Sequence, residues 1–225
     1  NAADTQPNIQ YYTMGAVGEE HAPGNIWKTA DDWPVAAHDT PYFLSSDMRL
    51  ADTQPQNAAD YVKFTADPFH PAKLPNTAFQ GARDARPFEE QDNVLTFTTD
   101  PLTTPLEVTG HVTANLHISS DAPDTDLIVR VSDVYPDGRS ILIIGYVHRV
   151  RYREGFHKEV LMKPGRIYET RFHVGWMSQV FNAGHRIRVT VASTGEPFYE
   201  SNPNTGKPLT IEWPEDARLA RNRIH

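Results

Sequence analysis

The segment LEVTGHVTANLHIS, residues 106–119, alternates apolar and polar side chains along its length. A period of two residues is typical of a β-strand that buries one face and exposes the other. The predicted buried face is Leu106, Val108, Val112, Ala114, Leu116 and Ile118, and the predicted exposed face is Glu107, Thr109, His111, Thr113, Asn115 and His117. A strand of this kind needs a second layer of structure to cover its apolar side.

Other segments between residues 93 and 193 also carry strand patterns, and turn residues separate them. They are 93–99, 124–135, 140–152, 166–174 and 185–193. Residues 136–138, Pro-Asp-Gly, predict a hairpin, because proline presets the first corner and glycine accepts a left-handed one. With a three-residue turn, Val131 is expected opposite Ile143 and Leu127 opposite Val147.

The chain contains 18 prolines spread along its length, which argue against long helices because proline breaks helix interiors. Together with the regular strand spacing, this predicts an all-β fold, a jelly-roll β-sandwich with long loops and little helix. Residues 140–144 are apolar on both faces, which predicts a strand buried inside the sandwich. Outside this region we expect strands at 10–16 and 40–46, a long loop over 65–92, and a weak helical tendency at 214–225.

The composition excludes several classes of function. The chain contains no cysteine, so disulfides, thiolate zinc sites and a cysteine nucleophile are excluded. Its net charge of −8 argues against nucleic acid as a partner, because phosphate contacts need a basic surface. No apolar run reaches the ~18 residues that a membrane span requires, so we predict no membrane-spanning segment. The compartment, cytoplasmic or exported, is left open.

The sequence offers no pattern for a catalytic centre. The G-x-S-x-G turn of serine hydrolases is absent, and the nearest segment, residues 175–179, has the wrong spacing. The serine pairs at 45–46 and 119–120 lie at predicted strand ends, where hydroxyls commonly bond to turn backbone. We therefore predict no catalytic residue and no cofactor in this chain.

Asp121, Asp124 and Asp126 are weak candidates for calcium ligands, since carboxylate oxygens suit that ion. A calcium site needs further oxygen ligands, and aspartates in such a segment also cap turns, which is the role we favour. His111 and His117 share a strand face but stand about 20 Å apart, too far to share an ion. We predict no metal site. The remaining strand histidines are interpreted as exposed or rim residues: His148, His173 and His185.

Asp133 lies in phase with the apolar residues of its predicted strand, so its carboxylate is expected to be buried. A buried carboxylate must be paired or lie near an opening. Arg149 and Arg151 are nearby cations in the sequence, and we predict a structural ion pair between them and Asp133. The alternative is that Asp133 faces a partner domain.

Trp27 and Trp33 lie in a polar segment that ends at a proline. We interpret them as anchors that bury the N-terminal arm against the sandwich or a neighbouring domain. The alternative is a stacking platform for sugars, which would make the chain a carbohydrate-binding module. A third hypothesis, based on the aspartates above, is an adaptor stabilised by calcium.

Several runs of residues resemble a known family. These are VLTFTTDPL, LEVTGHVTANLHISSDAPDTDLIVRVSDVYPDGRSI, RYREGF, FNAGHRIRV and SNPNTG. From about residue 10 to residue 225 the chain resembles the C-terminal domain of the X-Pro dipeptidyl-peptidase and cocaine-esterase (CocE/NonD) family of serine hydrolases.

The resemblance implies a non-catalytic jelly roll, similar to galactose-binding domains. Its partners would be the α/β-hydrolase and cap domains of the same polypeptide, with the catalytic triad upstream of Asn1; a homo-oligomer is left open. Residues 1–38 would be the end of the catalytic domain and a linker arm packed on the sandwich. Residues 39–225 would be the jelly roll, without the final strand of the family. The loop matching the family's pocket wall gives Ala78 and Phe79 as the corresponding residues.

Overall fold

The computed structural model describes residues 7–55, 60–75 and 82–225. Its strands are β1 (Ile9–Thr13), β2 (Ile26–Ala30), β3 (Phe43–Leu44), β4 (Leu50–Ala51), β5 (Val62–Ala66), β6 (Leu95–Thr98), β7 (Leu106–Ser120), β8 (Asp126–Val134), β9 (Ser140–Arg149), β10 (Tyr168–Phe181), β11 (Arg186–Ala192) and β12 (Ala220–Ile224). A single turn of α-helix, α1, covers Arg86–Glu89, and 3-10 turns cover Val150–Tyr152, Leu209–Ile211 and Pro214–Asp216.

Two four-stranded antiparallel sheets form the body of the molecule. The first has the order β10-β7-β12-β5, and the second has the order β6-β11-β8-β9. Strands β1 and β2 form a separate hairpin, as do β3 and β4. The predicted all-β sandwich is confirmed, because strands dominate the described residues and α-helix is limited to one turn.

The core lies between the two sheets. The alternation predicted for 106–119 is confirmed: Leu116 and Ile118 are buried, whereas His111, Thr113 and Asn115 are exposed. The second sheet contributes the inward-facing residues of β6, β8 and β11 to the same cluster. Its fully or nearly fully buried members include Phe97, Leu127, Val129, Val131, Ile187 and Val191.

The strand buried on both faces is β8, in which all nine residues are buried. Its outer face is covered by α1, whose Phe88 shares a second apolar cluster with Ile128. The prediction that residues 140–144 are the inner strand is wrong, because β9 lies at the edge of its sheet. The expected irregular loop over 65–92 also contains α1, which supplies this cover.

The predicted hairpin between β8 and β9 is present, but its register differs from the expected one. Val131 pairs with Ile144 and Leu127 pairs with His148. The pairing shifts between Val131 and Ser132, where an irregularity changes the count of residues on the two strands. A bulge of this kind cannot be read from turn length, and it moved both predicted pairs by one position.

The weak helical tendency predicted for 214–225 is wrong for its last part. Residues Ala220–Ile224 form β12, which pairs with β5 on one side and with β7 on the other. Its residues alternate between buried and exposed, as expected of a strand inside a sheet with one covered face. In the described part of the chain, no helix has the length and apolar character needed to span a membrane.

Candidate functional site

The N-terminal arm, residues 7–34, attaches to the first sheet through backbone and hydroxyl hydrogen bonds. The amide of Met14 donates to the Ser178 carbonyl at 2.9 Å, and the Val180 amide donates to the Met14 carbonyl at 2.8 Å. The Ser178 hydroxyl donates to the Thr13 hydroxyl at 2.9 Å and lies 2.8 Å from that of Thr109. The arm therefore continues the edge of the sheet at β10.

A charged pair adds to this attachment. The Lys28 ammonium of β2 lies 2.5 Å from the Glu107 carboxylate of β7. Burial raises the pKa of Glu107, but hydrogen bonds from Lys28 and Thr109 outweigh that effect, so the pKa lies below its ordinary value. Both side chains are about one-third exposed, so the pair orients the hairpin more than it stabilises the fold.

His185 is a buried link between the arm and the second sheet. Its Nδ1 lies 2.7 Å from an Asp133 oxygen, and its Nε2 lies 3.0 Å from a Glu19 oxygen. The Gln179 amide also donates to Asp133, at 3.2 Å. The Tyr135 ring packs at 4.3 Å from the imidazole, centroid to centroid. The interpretation of His185 as a rim residue is therefore wrong, since its exposure is 0%.

The prediction that Asp133 pairs with Arg149 and Arg151 is wrong. Asp133 contacts His185 instead, because β8 and β11 are neighbours and His185 immediately precedes β11. Burial raises the pKa of Asp133, partly offset by the hydrogen bond and charge of His185.

The two arginines bind the aspartates that had been considered for calcium. Arg149 Nε lies 2.8 Å from Asp126, and Arg151 Nε lies 2.7 Å from Asp124, with both side chains of the second pair fully buried. The Asn202 amide donates to both aspartates, at 2.8 and 2.9 Å. These carboxylates are bound by guanidinium and amide donors and link the β8 entry to the segment after β11.

The third calcium candidate, Asp121, lies apart from this cluster. Its carboxylate accepts from the backbone and guanidinium of Arg221, at 2.8 and 3.0 Å. Among the described residues, no group of three or more histidine, aspartate or glutamate side chains has a geometry that could hold a metal ion.

Two arrangements partly resemble a catalytic triad. Ser119 Oγ lies 2.9 Å from His225 Nε2, and the Tyr61 ring packs against that imidazole with the centroids 5.7 Å apart. Burial lowers the pKa of His225, and the charges of Arg223 and His117 lower it further. In the described structure, no carboxylate is among the groups that shift this pKa. In the second arrangement His185 contacts the carboxylates of Asp133 and Glu19. The hydroxyl-bearing side chain packed on its ring is a tyrosine, Tyr135, and not a serine. Neither arrangement combines serine, histidine and carboxylate within the part of the chain that the structure describes.

A row of aromatic and histidine side chains crosses from the arm to the outer face of the first sheet. Trp33 packs between Tyr11 and Trp176, with ring centroids 5.3 and 5.6 Å away. His111 continues the row at 4.5 Å from Trp176 and 4.0 Å from His173. We call these five residues the aromatic row.

Trp27 differs from Trp33 in its surroundings. It is 72% exposed and meets Tyr12 edge-on at 5.4 Å. Trp176 at the centre of the aromatic row is also 51% exposed. The two N-terminal tryptophans therefore lie in different environments: Trp33 contacts the sandwich, whereas the Trp27 indole is open to solvent or a partner surface.

Sequence reasoning missed the His185 link and the His111–His173 contact. The first joins Glu19 to His185 across 166 residues of chain, and no local pattern reports such a distance. The second forms because β7 and β10 are neighbours and His173 pairs with Thr113, two residues from His111 on the same face. The order of strands in the sheet decides this contact, and residues close in sequence do not report it. The predicted pocket-wall residues Ala78 and Phe79 lie outside the described residues.

Over residues 1–225 the sequence matches the family described as the X-Pro dipeptidyl-peptidase C-terminal non-catalytic domain. A cocaine esterase from Rhodococcus sp. is 34% identical across 97% of this chain, and the match covers 39% of that protein. The structure of an aminopeptidase from a marine-sediment Thaumarchaeota archaeon is 30% identical with a TM-score of 0.82, covering 89% of this chain and 36% of its own. The structure of an α-amino acid ester hydrolase is 27% identical with a TM-score of 0.84. That match covers 89% of this chain and 37% of the hydrolase.

The chain thus spans well under half the length of the relatives that it matches. These relatives are named as hydrolases of esters or peptides, which supports the interpretation as a hydrolase domain and not the carbohydrate-binding alternative. The chain belongs to the X-Pro dipeptidyl-peptidase C-terminal family, the non-catalytic β-sandwich domain of CocE/NonD-type hydrolases.

Proposed function

We propose that this chain is the C-terminal sandwich of a longer serine hydrolase whose catalytic triad lies elsewhere in the polypeptide. The observation that carries the proposal is the match of all 225 residues to a non-catalytic family, combined with coverage of only 39% of the esterase relative. In this proposal the chain supports an α/β-hydrolase domain and a cap domain. The names of the ester-hydrolysing relatives favour carboxylic esters as substrates, and the family name keeps Xaa-Pro peptides as the second candidate.

The N-terminal arm is the proposed connection to the catalytic domain. Its hydrogen bonds to β10 and its Lys28–Glu107 pair fix its path over the first sheet. The exposed indoles of Trp27 and Trp176 then offer an aromatic surface, the kind of group that contributes most to interfaces. We assign this surface to contact with the catalytic domain. Following the family, Ala78 and Phe79 are assigned to the wall of the acyl pocket.

Substitution of Trp27 tests the interdomain contact in the full-length protein. Trp27→Ala is expected to lower the thermal midpoint of the full-length protein by several degrees, since a buried interface tryptophan contributes about 2 kcal/mol or more. The matched control is Phe156→Ala, because Phe156 is 76% exposed and lies outside the arm and the aromatic row. Calorimetry of the two variants gives the comparison, and equal midpoints would contradict the proposed contact.

Substrate class is tested with the same full-length protein. We expect turnover of p-nitrophenyl esters to exceed turnover of Xaa-Pro-anilides at equal substrate concentration. The opposite ranking would assign the protein to the peptidase branch, and no turnover of either substrate would contradict the hydrolase proposal.

A further inference from the structure

A cavity of about 370 Å³ lies beside β9, at the edge of the second sheet. Its apolar wall includes Leu74, Ile143 and Phe198, and its polar wall includes Arg83 and Arg130. A volume of this order suits a small organic molecule. The cavity is therefore a partly open cleft whose wall combines apolar side chains with two cationic ones.

Arg130 is built into this wall rather than lying on the surface. It belongs to β8, is only 4% exposed, and pairs across the sheet with Gly145 of β9. A Cβ at position 145 would lie 2.8 Å from Arg130 Cγ, so glycine leaves room for the arginine stem. The guanidinium carbon lies 4.7 Å from the centroid of the Phe88 ring, which supports it from the other side.

One donor of the Arg130 guanidinium has no partner among the described residues. Its Nη1 is buried and has no hydrogen-bond acceptor in the described structure. Glu89 acts on Arg130 through its charge, but its oxygens already accept from Arg188 at 2.8 Å and from Ser132 at 2.9 Å. Burial lowers the pKa of Arg130 to about 10, which still leaves it charged at neutral pH. A buried cation in this state is costly unless an anion joins it.

Arg83 brings a second cation to the same cavity. Its carbonyl accepts from the Leu142 amide at 2.8 Å, which fixes this segment against the β9 edge. Its guanidinium packs on the Phe198 ring, 5.2 Å from the centroid. Arginine presents a planar fork of donors that matches a carboxylate. The aromatic and aliphatic walls suit an apolar body attached to that carboxylate.

We propose that this cavity binds a carboxylate carried on a small apolar or aromatic group, with Arg130 as its principal donor. The carboxylate could come from a free carboxylic acid or from an acidic side chain elsewhere in the longer polypeptide, since both present the same planar anion. The free-acid form concerns atoms of this chain alone, whereas the side-chain form rests on the proposed longer polypeptide. Neither form depends on the hydrolase activity.

The test uses benzoate as the free acid and benzamide as its neutral isostere, titrated into the full-length protein by calorimetry. We expect benzoate to bind at least tenfold more tightly than benzamide. Arg130→Met should abolish benzoate binding. Arg171→Met, at an exposed arginine of β10 in the other sheet, should leave it unchanged.

Two milder variants keep the test valid if Arg130→Met does not fold. Arg130→Lys retains the charge without the fork, and Gly145→Ala displaces the arginine stem. Each is expected to weaken benzoate binding tenfold or more. Benzoate binding that all three variants leave unchanged would overturn the proposal.

The source of the carboxylate follows from the same experiments. Benzoate binding that depends on Arg130 assigns the site to a free acid. Absent benzoate binding, a lower thermal midpoint for Arg130→Met in a Glu89→Gln background of the full-length protein assigns it to an acidic side chain. With the Glu89 charge removed, the loss of stability reports an anion supplied by another segment. No binding together with an unchanged or higher midpoint would refute both forms of the proposal.

Discussion

His185 shows how one polar side chain can link distant parts of a β-sandwich. Its two ring nitrogens face Asp133 in β8 and Glu19 in the N-terminal arm, at 2.7 and 3.0 Å. The Asn182 amide donates to the second oxygen of Glu19 at 2.8 Å, so this carboxylate is bound from two sides. The link connects the arm to the sandwich through hydrogen bonds between titratable groups, and it therefore depends on charge and pH.

Glu19→Gln is expected to reduce stability by ~1 kcal/mol at pH 7, about the net contribution of one typical hydrogen bond in a protein. Burial, the largest effect, raises the Glu19 pKa, but the bonds from Asn182 and His185 bring it below the ordinary 4.5. The carboxylate therefore stabilises the fold above pH 4.5, and this contribution is lost as pH falls through the lower folded-state pKa.

Urea unfolding of the wild type and the variant between pH 7 and pH 3 measures this difference. The difference in unfolding free energy between the wild type and Glu19→Gln should become smaller as the pH drops below about 4.5. Glu20→Gln is the matched control, because Glu20 is the exposed neighbour, and it should change stability by less than ~0.5 kcal/mol. A gap between wild type and Glu19→Gln that is constant with pH would contradict the assigned role.

At the scale of elements, α1 shows how a short helix can matter through a single side chain. Its four residues cannot be stable alone, since helices of this length lack enough internal hydrogen bonds. Phe88 is fully buried and joins Ile128 of β8 in the second apolar cluster. The Glu89 carboxylate accepts hydrogen bonds from side chains of β8, β9 and β11, namely Ser132, Ser140 and Arg188. The helix therefore serves as the cover of the outer face of β8.

Phe88→Ala is expected to lower the unfolding free energy by about 3–5 kcal/mol, the usual loss for a large aromatic side chain removed from a packed core. Denaturant unfolding measures the loss, because two proteins whose unfolding free energies depend equally on denaturant concentration can be compared by their midpoints. Glu90→Ala, at the exposed end of the same helix, serves as the control and should stay within ~0.5 kcal/mol of wild type. Similar values for the two variants would show that α1 does not cover the core.

The elements also show where sequence patterns suffice. The alternation of β7 and the Pro-Asp-Gly turn predicted strand, face and hairpin, because both depend on residues that are close in sequence. The strand β12 was missed, because its five residues become strand-like only when β5 and β7 lie on either side. The pairing of Asp133 with His185 was missed for the same reason: strand order decides it.

At the scale of the whole molecule, two sheets and an attached arm form the body of the described structure, in which neither triad-like arrangement combines serine, histidine and carboxylate. Family membership followed from motifs spread over most of the chain, and the comparisons confirmed it. The sequence indicated Trp27 and Trp33 as anchors, but it could not distinguish an anchor on the sandwich from one on a neighbouring domain. Trp27 and Trp33 look alike in sequence, yet Trp33 packs on Trp176 of the first sheet whereas Trp27 is largely exposed.

The most direct test of the account is to map the serine that reacts with a fluorophosphonate probe in the full-length protein. Mass spectrometry of the labelled, digested protein locates the modified peptide. We expect a labelled serine outside the 225 residues of this chain, in the proposed catalytic domain. A labelled serine within the chain, such as Ser119 beside His225, would contradict its role as a non-catalytic domain.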